Sequence, residues 1–169
     1  MKVTFRCDPD KCMSCGACAV ACMDQNDVDI AAGESPLRHV VTYEEDGKRV
    51  FMSLACMHCD DAPCVKGCPT GCLYKDADTG LTLYDPDKCI GCHSCSMACP
   101  YGAPTFVTFV RAGKRDKMKK CDGCIERLRN GLEPACVHAC PVGALTCEIG
   151  DGVPSAEFCK AWPRVRVED

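Results

Sequence analysis

Sixteen of the twenty cysteines fall into four groups of four, and the close spacing within each group is what most limits the folds open to this chain. The groups are Cys12, Cys15, Cys18 and Cys22; Cys56, Cys59, Cys64 and Cys68; Cys89, Cys92, Cys95 and Cys99; and Cys121, Cys124, Cys136 and Cys140. A C-x2-C-x2-C loop lets three sulfurs converge on one small cube, while the intervening N–H groups point inward at its sulfides. At four thiolates per cluster, the pattern predicts four 4Fe-4S clusters and a redox role.

The fourth cysteine of such a loop cannot join its own three. In the bacterial ferredoxin pattern C-x2-C-x2-C-x3-C-P it reaches across to the other cluster of a pair. The first and third groups follow C-x2-C-x2-C-x3-C, the second is C-x2-C-x4-C-x3-C-P and the fourth is C-x2-C-x11-C-x3-C-P. Pro69, Pro100 and Pro141 end three of the groups, and proline there stops any helix and turns the chain away. Met23 stands at the equivalent point of the first group, so a helix is expected to run through Cys22 to about Asn26.

Two other uses of so many cysteines have to be weighed. Cysteine is far above normal usage, which also suits a disulfide scaffold or a zinc protein. The first residues, MKVTFRCDPD, show no charged segment followed by an apolar one, so no secretory signal is expected and disulfides lose their context. Zinc sites favour paired C-x2-C units or cysteine with histidine, whereas three groups here end in Cys-Pro. A structural zinc or interaction protein remains the alternative from a different class.

Charge excludes a nucleic-acid binder. The formal net charge is -4 with thiols neutral, and sixteen thiolates around four oxidised cubes carry it to about -12. The one basic cluster, Arg111, Lys114, Arg115, Lys117, Lys119 and Lys120, is expected to be a solvated hairpin, with a docking patch for an acidic partner as the alternative. The longest apolar stretches, such as residues 106–110, fall far short of the ~20 residues of a membrane helix. No glycine-rich nucleotide loop occurs, so electrons are expected to come from and go to other proteins.

Segment order predicts how the groups pair. After Cys68-Pro69, a strand over 72–75, a turn at 78–80 and a return strand over 81–85 lead into Cys89, which makes one contiguous two-cluster module. The first group is preceded by a strand over 3–8, whose partner must be the segment 144–149 after Cys140-Pro141. The expected fold is therefore α+β, with two nested ferredoxin-like modules stabilised by their clusters: an inner one at 54–104 and an outer one from 1–53 and 105–169. Exchange of the fourth ligands then gives cluster A (Cys12, Cys15, Cys18, Cys140), cluster B (Cys22, Cys121, Cys124, Cys136), cluster C (Cys68, Cys89, Cys92, Cys95) and cluster D (Cys56, Cys59, Cys64, Cys99).

The segments CMSCGACAVACMDQND, CMHCDDAPCVKGCPTGCLYK, CIGCHSCSMACPYGAP and KCDGCIERLRNGLEPACVHACPVGAL resemble, in order, the four motifs of the iron-sulfur electron-transfer subunits of the dimethyl sulfoxide reductase family. Relatives there include subunits of formate dehydrogenase and hydrogenlyase and of thiosulfate and polysulfide reductases. The resemblance covers nearly the whole chain. It implies a row of four 4Fe-4S clusters beside a large molybdopterin or tungstopterin catalytic subunit. The far end would serve a second donor or acceptor: a flavoprotein, a membrane subunit or another copy of the chain. Some relatives replace a cysteine of the fourth motif and hold a 3Fe-4S cluster, but Cys124 and its neighbours are intact here. The short length is similar to small polyferredoxin subunits, including those of tungsten aldehyde oxidoreductase complexes, and a free polyferredoxin is the second functional reading. The compartment is expected to be the cytoplasm, with export alongside a signal-bearing partner as the alternative.

Cys7, Cys72 and Cys147 are expected to be small buried residues, Cys159, in the tail with Phe158 and Trp162, to pack against the core or a partner, and none of the four to bind iron. His58, His93 and His138 lie between cysteines, where they can hydrogen-bond to sulfur but are not expected as ligands. Residues 37–54 read as an exposed two-stranded ribbon with its turn at Asp46-Gly47. A helix over 122–130, closed by Gly131, should bury Ile125 and Leu128.

Overall fold

The pentapeptide DPDKC occurs twice, at 8–12 and at 85–89, and it builds the same turn both times. The side chains of Asp8 and Asp85 each accept the N–H two residues on at 3.0 Å, the local bond that makes aspartate a turn former. Lys11 and Lys88 reach back to the same carboxylates at 3.4 and 3.3 Å. The N–H groups of Asp8 and Asp85 donate at 2.8 Å to the carbonyls of Ala144 and Cys72, each just beyond a Cys-Pro pair. Two distant parts of the chain are thus tied by matching bonds.

The structure, a computed structural model, describes residues 2–106 and 116–150 and the backbone of 153–154. Strand β1 (Val3–Cys7) leads into the first DPDKC and pairs antiparallel with β6 (Leu145–Ile149), Val3 facing Ile149 and Cys7 facing Leu145. Strand β4 (Leu73–Lys75) pairs likewise with β5 (Thr82–Tyr84), which leads into the second DPDKC. Both pairings fall within a residue of the expected segments. No local pattern announces β7 (Val153–Pro154), which adds a short edge to β6.

Among the described residues five short α-helices carry or flank the cysteine loops. They are α1 (Ala17–Gln25), α2 (Pro63–Lys66), α3 (Ser94–Ala98), α4 (Ile125–Arg129) and α5 (Ala135–His138). Helices this short are unstable in isolation, and packing holds four of them in pairs, α1 on α5 and α2 on α3. Helix α1 passes through Cys22 because Met23, not proline, follows it. Helix α4 starts later than the expected Asp122, since Gly123 and Cys124 take left-handed conformations (φ 75° and 53°) that no helix accommodates.

One core joins both strand pairs. Val3 of β1, Cys147 and Ile149 of β6, Leu81 and Leu83, and Ile125 and Leu128 of α4 are all buried together. A Cβ added to Gly123 would stand 2.8 Å from Leu81 Cδ1. Gly123→Ala therefore combines overpacking with a positive φ and is expected to cost about 1–3 kcal/mol, read as a lower thermal midpoint of the cluster-loaded chain.

The ribbon β2 (His39–Glu45) and β3 (Lys48–Leu54) turns at Asp46-Gly47, both at positive φ (51° and 72°), as a two-residue type I′ connection requires. Its tip is exposed as expected, but its base is not: Leu37, Arg38 and Ser53 are buried. The basic cluster also needs correction. Arg111, Lys114 and Arg115 lie outside the described residues, as do Cys159, Phe158 and Trp162. Lys119 binds Glu34 at 2.6 Å, and Lys120 is only 1 % exposed.

Candidate iron-sulfur centres

Two cavities are ringed by cysteines from different parts of the chain. One is lined by Cys12, Cys15, Cys18 and Cys140, with Cys7, Ser53 and Leu145 also on its wall. The other is lined by Cys68, Cys89, Cys92 and Cys95, with Cys72, His93, Phe106 and Met118. In each, a C-x2-C-x2-C loop supplies three sulfurs, and the last cysteine of a Cys-Pro group supplies the fourth. Each also has one exposed cysteine, Cys15 in the first and Cys92 in the second.

Of the remaining eight cysteines, five are buried and Cys56, Cys59 and Cys99 are half-buried. Cys22, Cys121, Cys124 and Cys136 are all buried. Burial pushes the Cys22 thiol up to about 12, and the neighbouring sulfurs of Cys136 and Cys124 add to that. Burial likewise raises Cys121, Cys124 and Cys136. Cys64 is raised by burial, and the sulfurs of Cys56, from its own group, and Cys99, from the third, raise it further. Cys59 enters on the same loop as Cys56. Among the described residues no three His, Cys, Asp or Glu side chains converge on a single-ion site; the sulfurs stand around a space.

A donor set of thiols around such a space fits a 4Fe-4S cube, and inward N–H groups complete the fit. Met118 N–H donates to Cys89 Sγ at 3.3 Å, and Gly123 N–H to Cys121 Sγ at 3.4 Å. Burial pushes the Cys68 thiol up, but the N–H groups of Leu73, Thr70 and Cys72 and the Thr70 hydroxyl outweigh it and leave the thiol lowered. At Cys140, burial is outweighed in the same way by the N–H groups of Leu145, Ala144, Val142 and Gly143. The two equivalent Cys-Pro cysteines thus sit in equivalent nests of amides, the setting that favours a charged thiolate.

Of the cysteines outside the four groups, Cys72 and Cys147 are buried, at 2 % and 1 % exposed, and Cys7 is half-buried. Cys72 occupies the place that Ala144 holds in the other strand pair, since the two accept matching hydrogen bonds. His93 stacks on Phe106 at 3.8 Å between ring centroids, and His138 lies 3.6 Å from Glu133.

The sequence did not reveal the buried cations. Arg38, 3 % exposed, donates from its NH1 nitrogen to Ser53 O at 3.3 Å and to Ser53 Oγ at 3.0 Å. Ser53 Oγ lies 3.2 Å from Cys18 Sγ. A guanidinium only donates, so the serine accepts from Arg38 and has its own proton for the sulfur. Burial opposes the charge of Arg38, but the sulfurs of Cys136, Cys121, Cys22 and Cys18 hold it in place. Lys120 donates to the carbonyls of Thr82 and Cys121. Lys75, half-buried, donates to the carbonyls of His58 at 3.1 Å and Cys59 at 2.9 Å. Buried cations need compensating charge, and the sulfur-rich interior supplies it. The only sequence signal was the mismatch between a cysteine-lined, negative interior and charged residues placed directly beside it, as Lys120 is beside Cys121.

Paired strands, matched turns and cysteine-ringed cavities with inward amides define a 4Fe-4S protein of ferredoxin type. Residues 47–150 match the 4Fe-4S dicluster domain family and residues 9–24 a 4Fe-4S binding domain, and the chain belongs to that 4Fe-4S dicluster family of iron-sulfur subunits. It is 37 % identical to the formate dehydrogenase iron-sulfur subunit of Wolinella succinogenes, over 90 % of this chain and 84 % of that one. It is 39 % identical to YnfG of Escherichia coli K12, a probable anaerobic dimethyl sulfoxide reductase chain, over 83 % of this protein and 70 % of that one. It is 34 % identical to the arsenate respiratory reductase iron-sulfur subunit ArrB of a Shewanella strain, over 89 % and 82 %. The zinc alternative is thereby set aside. Among the described residues no helix is long and apolar enough to cross a membrane.

Proposed function

We propose that this chain is the electron-transfer subunit of a molybdenum or tungsten pterin oxidoreductase, holding four 4Fe-4S clusters as a wire and no catalytic site of its own. The observation that carries this is the exchanged lining of the two cysteine cavities, Cys12, Cys15 and Cys18 with Cys140, and Cys89, Cys92 and Cys95 with Cys68. These are clusters A and C. By the same exchange Cys22 joins Cys121, Cys124 and Cys136 in cluster B, and Cys99 joins Cys56, Cys59 and Cys64 in cluster D. Residues 54–104 then form an inner two-cluster module, and residues 1–53 with 105–169 an outer one. The matched DPDKC turns and helix pairs support this nesting.

A 4Fe-4S cluster supplies one-electron redox chemistry. The chain's own residues hold it, keep water from its buried face and set its potential by hydrogen bonds and charge. The burial of all four sulfurs of B and the exposure of Cys15 in A and Cys92 in C support a row A, B, D, C whose ends open to the surface. Exposed apolar side chains lie near both ends in sequence: Met13 and Val142 by the first, Ile90, Met97 and Tyr101 by the second. Such ends suit a large pterin-bearing catalytic subunit on one side, and a flavoprotein, a membrane subunit or a second copy of this chain on the other. The compartment is the cytoplasm in this proposal, with export beside a signal-bearing partner as the alternative.

Anaerobic isolation of the native complex tests the assignment. We expect this chain to copurify with a large pterin-containing subunit and to carry about sixteen irons with as many labile sulfides. Recovery only as a free monomer with that same iron content would leave a diffusing polyferredoxin, the second reading.

A further inference from the structure

We propose that His58 is the hydrogen-bonded bridge between the two halves of the cluster row: carried on the loop of cluster D, it donates to Cys121 and raises the reduction potential of cluster B. The inference rests on the ligand partition proposed above. His58 lies between Cys56 and Cys59 in sequence, yet its Nε2 lies 3.8 Å from the sulfur of Cys121 on another cysteine loop. Thr82 N–H donates to Nδ1 at 3.1 Å. A ring nitrogen that accepts carries no proton, so the imidazole is neutral and its one N–H is on Nε2, facing the sulfur.

The surroundings hold this orientation. His58 is 6 % exposed, its ring stacks against Phe5 of β1 at 5.8 Å, and Lys75 grips the carbonyls of His58 and Cys59. Its backbone lies at φ 48°, the left-handed turn found at the same place in all four cysteine loops, where Ser14, Gly91 and Gly123 stand at 58°, 67° and 75°. The corresponding loop of the fourth group has Gly123 at this place, also left-handed at φ 75° and closed off by Leu81. A glycine has no ring to offer in return. The bridge therefore runs one way, from the loop of D to a ligand of B. A donor on a cluster sulfur favours the more negative, reduced state, which raises the potential.

The test assigns the clusters first. Cys22→Ser and Cys121→Ser should perturb one and the same paramagnetic resonance, that of cluster B. In wild-type protein labelled with nitrogen-15 histidine, electron spin echo modulation on that resonance should show a weakly coupled histidine nitrogen. His58→Leu should abolish that coupling and lower the potential of cluster B by about 59 mV, a tenfold change in its one-electron equilibrium constant. His58→Gln, whose amide can accept from Thr82 and donate to Cys121, should restore most of the potential. The bridge is overturned if wild-type cluster B shows no histidine nitrogen, or if His58→Leu and His58→Gln move only the potential of cluster D. Should Cys22→Ser and Cys121→Ser act on different resonances, the partition itself fails and the bridge with it. The labelling measurement needs no variant, so a poorly folding His58→Leu leaves the question decidable.

Discussion

Cys22→Ser is expected to destroy a cluster that its own loop does not hold. Cys18 and Cys22 lie four residues apart on α1 and so share one helix face. One turn, about 5.4 Å, separates them along the axis, enough for α1 to stand between two clusters. Cys18 lines the cavity of Cys12, Cys15 and Cys140. After burial, the groups that raise the Cys22 thiol most are the sulfurs of Cys136 and Cys124. A serine hydroxyl there is a far poorer iron ligand than a thiolate, and the pocket around it is buried. The expected result is a loss of up to about four irons per chain and disappearance of the resonance that depends on Cys121, Cys124 and Cys136. The resonance of Cys12, Cys15 and Cys18 should survive. If that one vanished instead, the exchange of fourth ligands would be refuted, and the nesting of modules with it.

The grouping of the cysteines was legible because cluster geometry leaves little freedom in spacing, and proline after the last cysteine of a group turns the chain toward the next strand. From there the strand pairs followed. Residues 144–149 were the only segment shaped like 72–75, and β6 and β4 lie within a residue of those bounds. What remained hidden were side chains whose surroundings are made by distant segments. Arg38 sits at the base of a ribbon that reads as solvent-exposed, and nothing local shows that Ser53 and four sulfurs close over it. Lys120 ends a basic run in which alternate residues go opposite ways: Met118 is buried, Lys119 pairs with Glu34, and Lys120 turns inward. Composition assigns such charges to water by default. It fails here because the interior itself is anionic once iron is bound, so a buried lysine or arginine is compensated where an apolar core would expel it.

Removing the iron is expected to unfold the chain, since the same compensation works in reverse. The shared core that joins the strand pairs is small, seven buried residues with Phe5 and Val137 against them, and one of the seven is a cysteine. The other two buried groups are built largely around cluster cysteines, such as Cys18 and Cys136 with Leu145. Without clusters the buried thiols are driven toward the neutral form, with Cys22 near 12, and Arg38 and Lys120 lose the charge that holds them inside. Each buried cation left unpaired costs several kcal/mol, against a total stability of roughly 5–15 kcal/mol for an ordinary domain. The pairing of β1 with β6 also closes a loop of more than a hundred residues, which in the proposed partition is fastened by clusters shared between the chain's two ends. Anaerobic chelation followed by circular dichroism should therefore show loss of most of the ordered signal, and the apo-chain should be cut by protease within the 120–150 region. A cluster-free chain that kept the native spectrum and resisted the protease would mean that the apolar core alone is sufficient, and that Arg38 and Lys120 find other partners in the absence of iron.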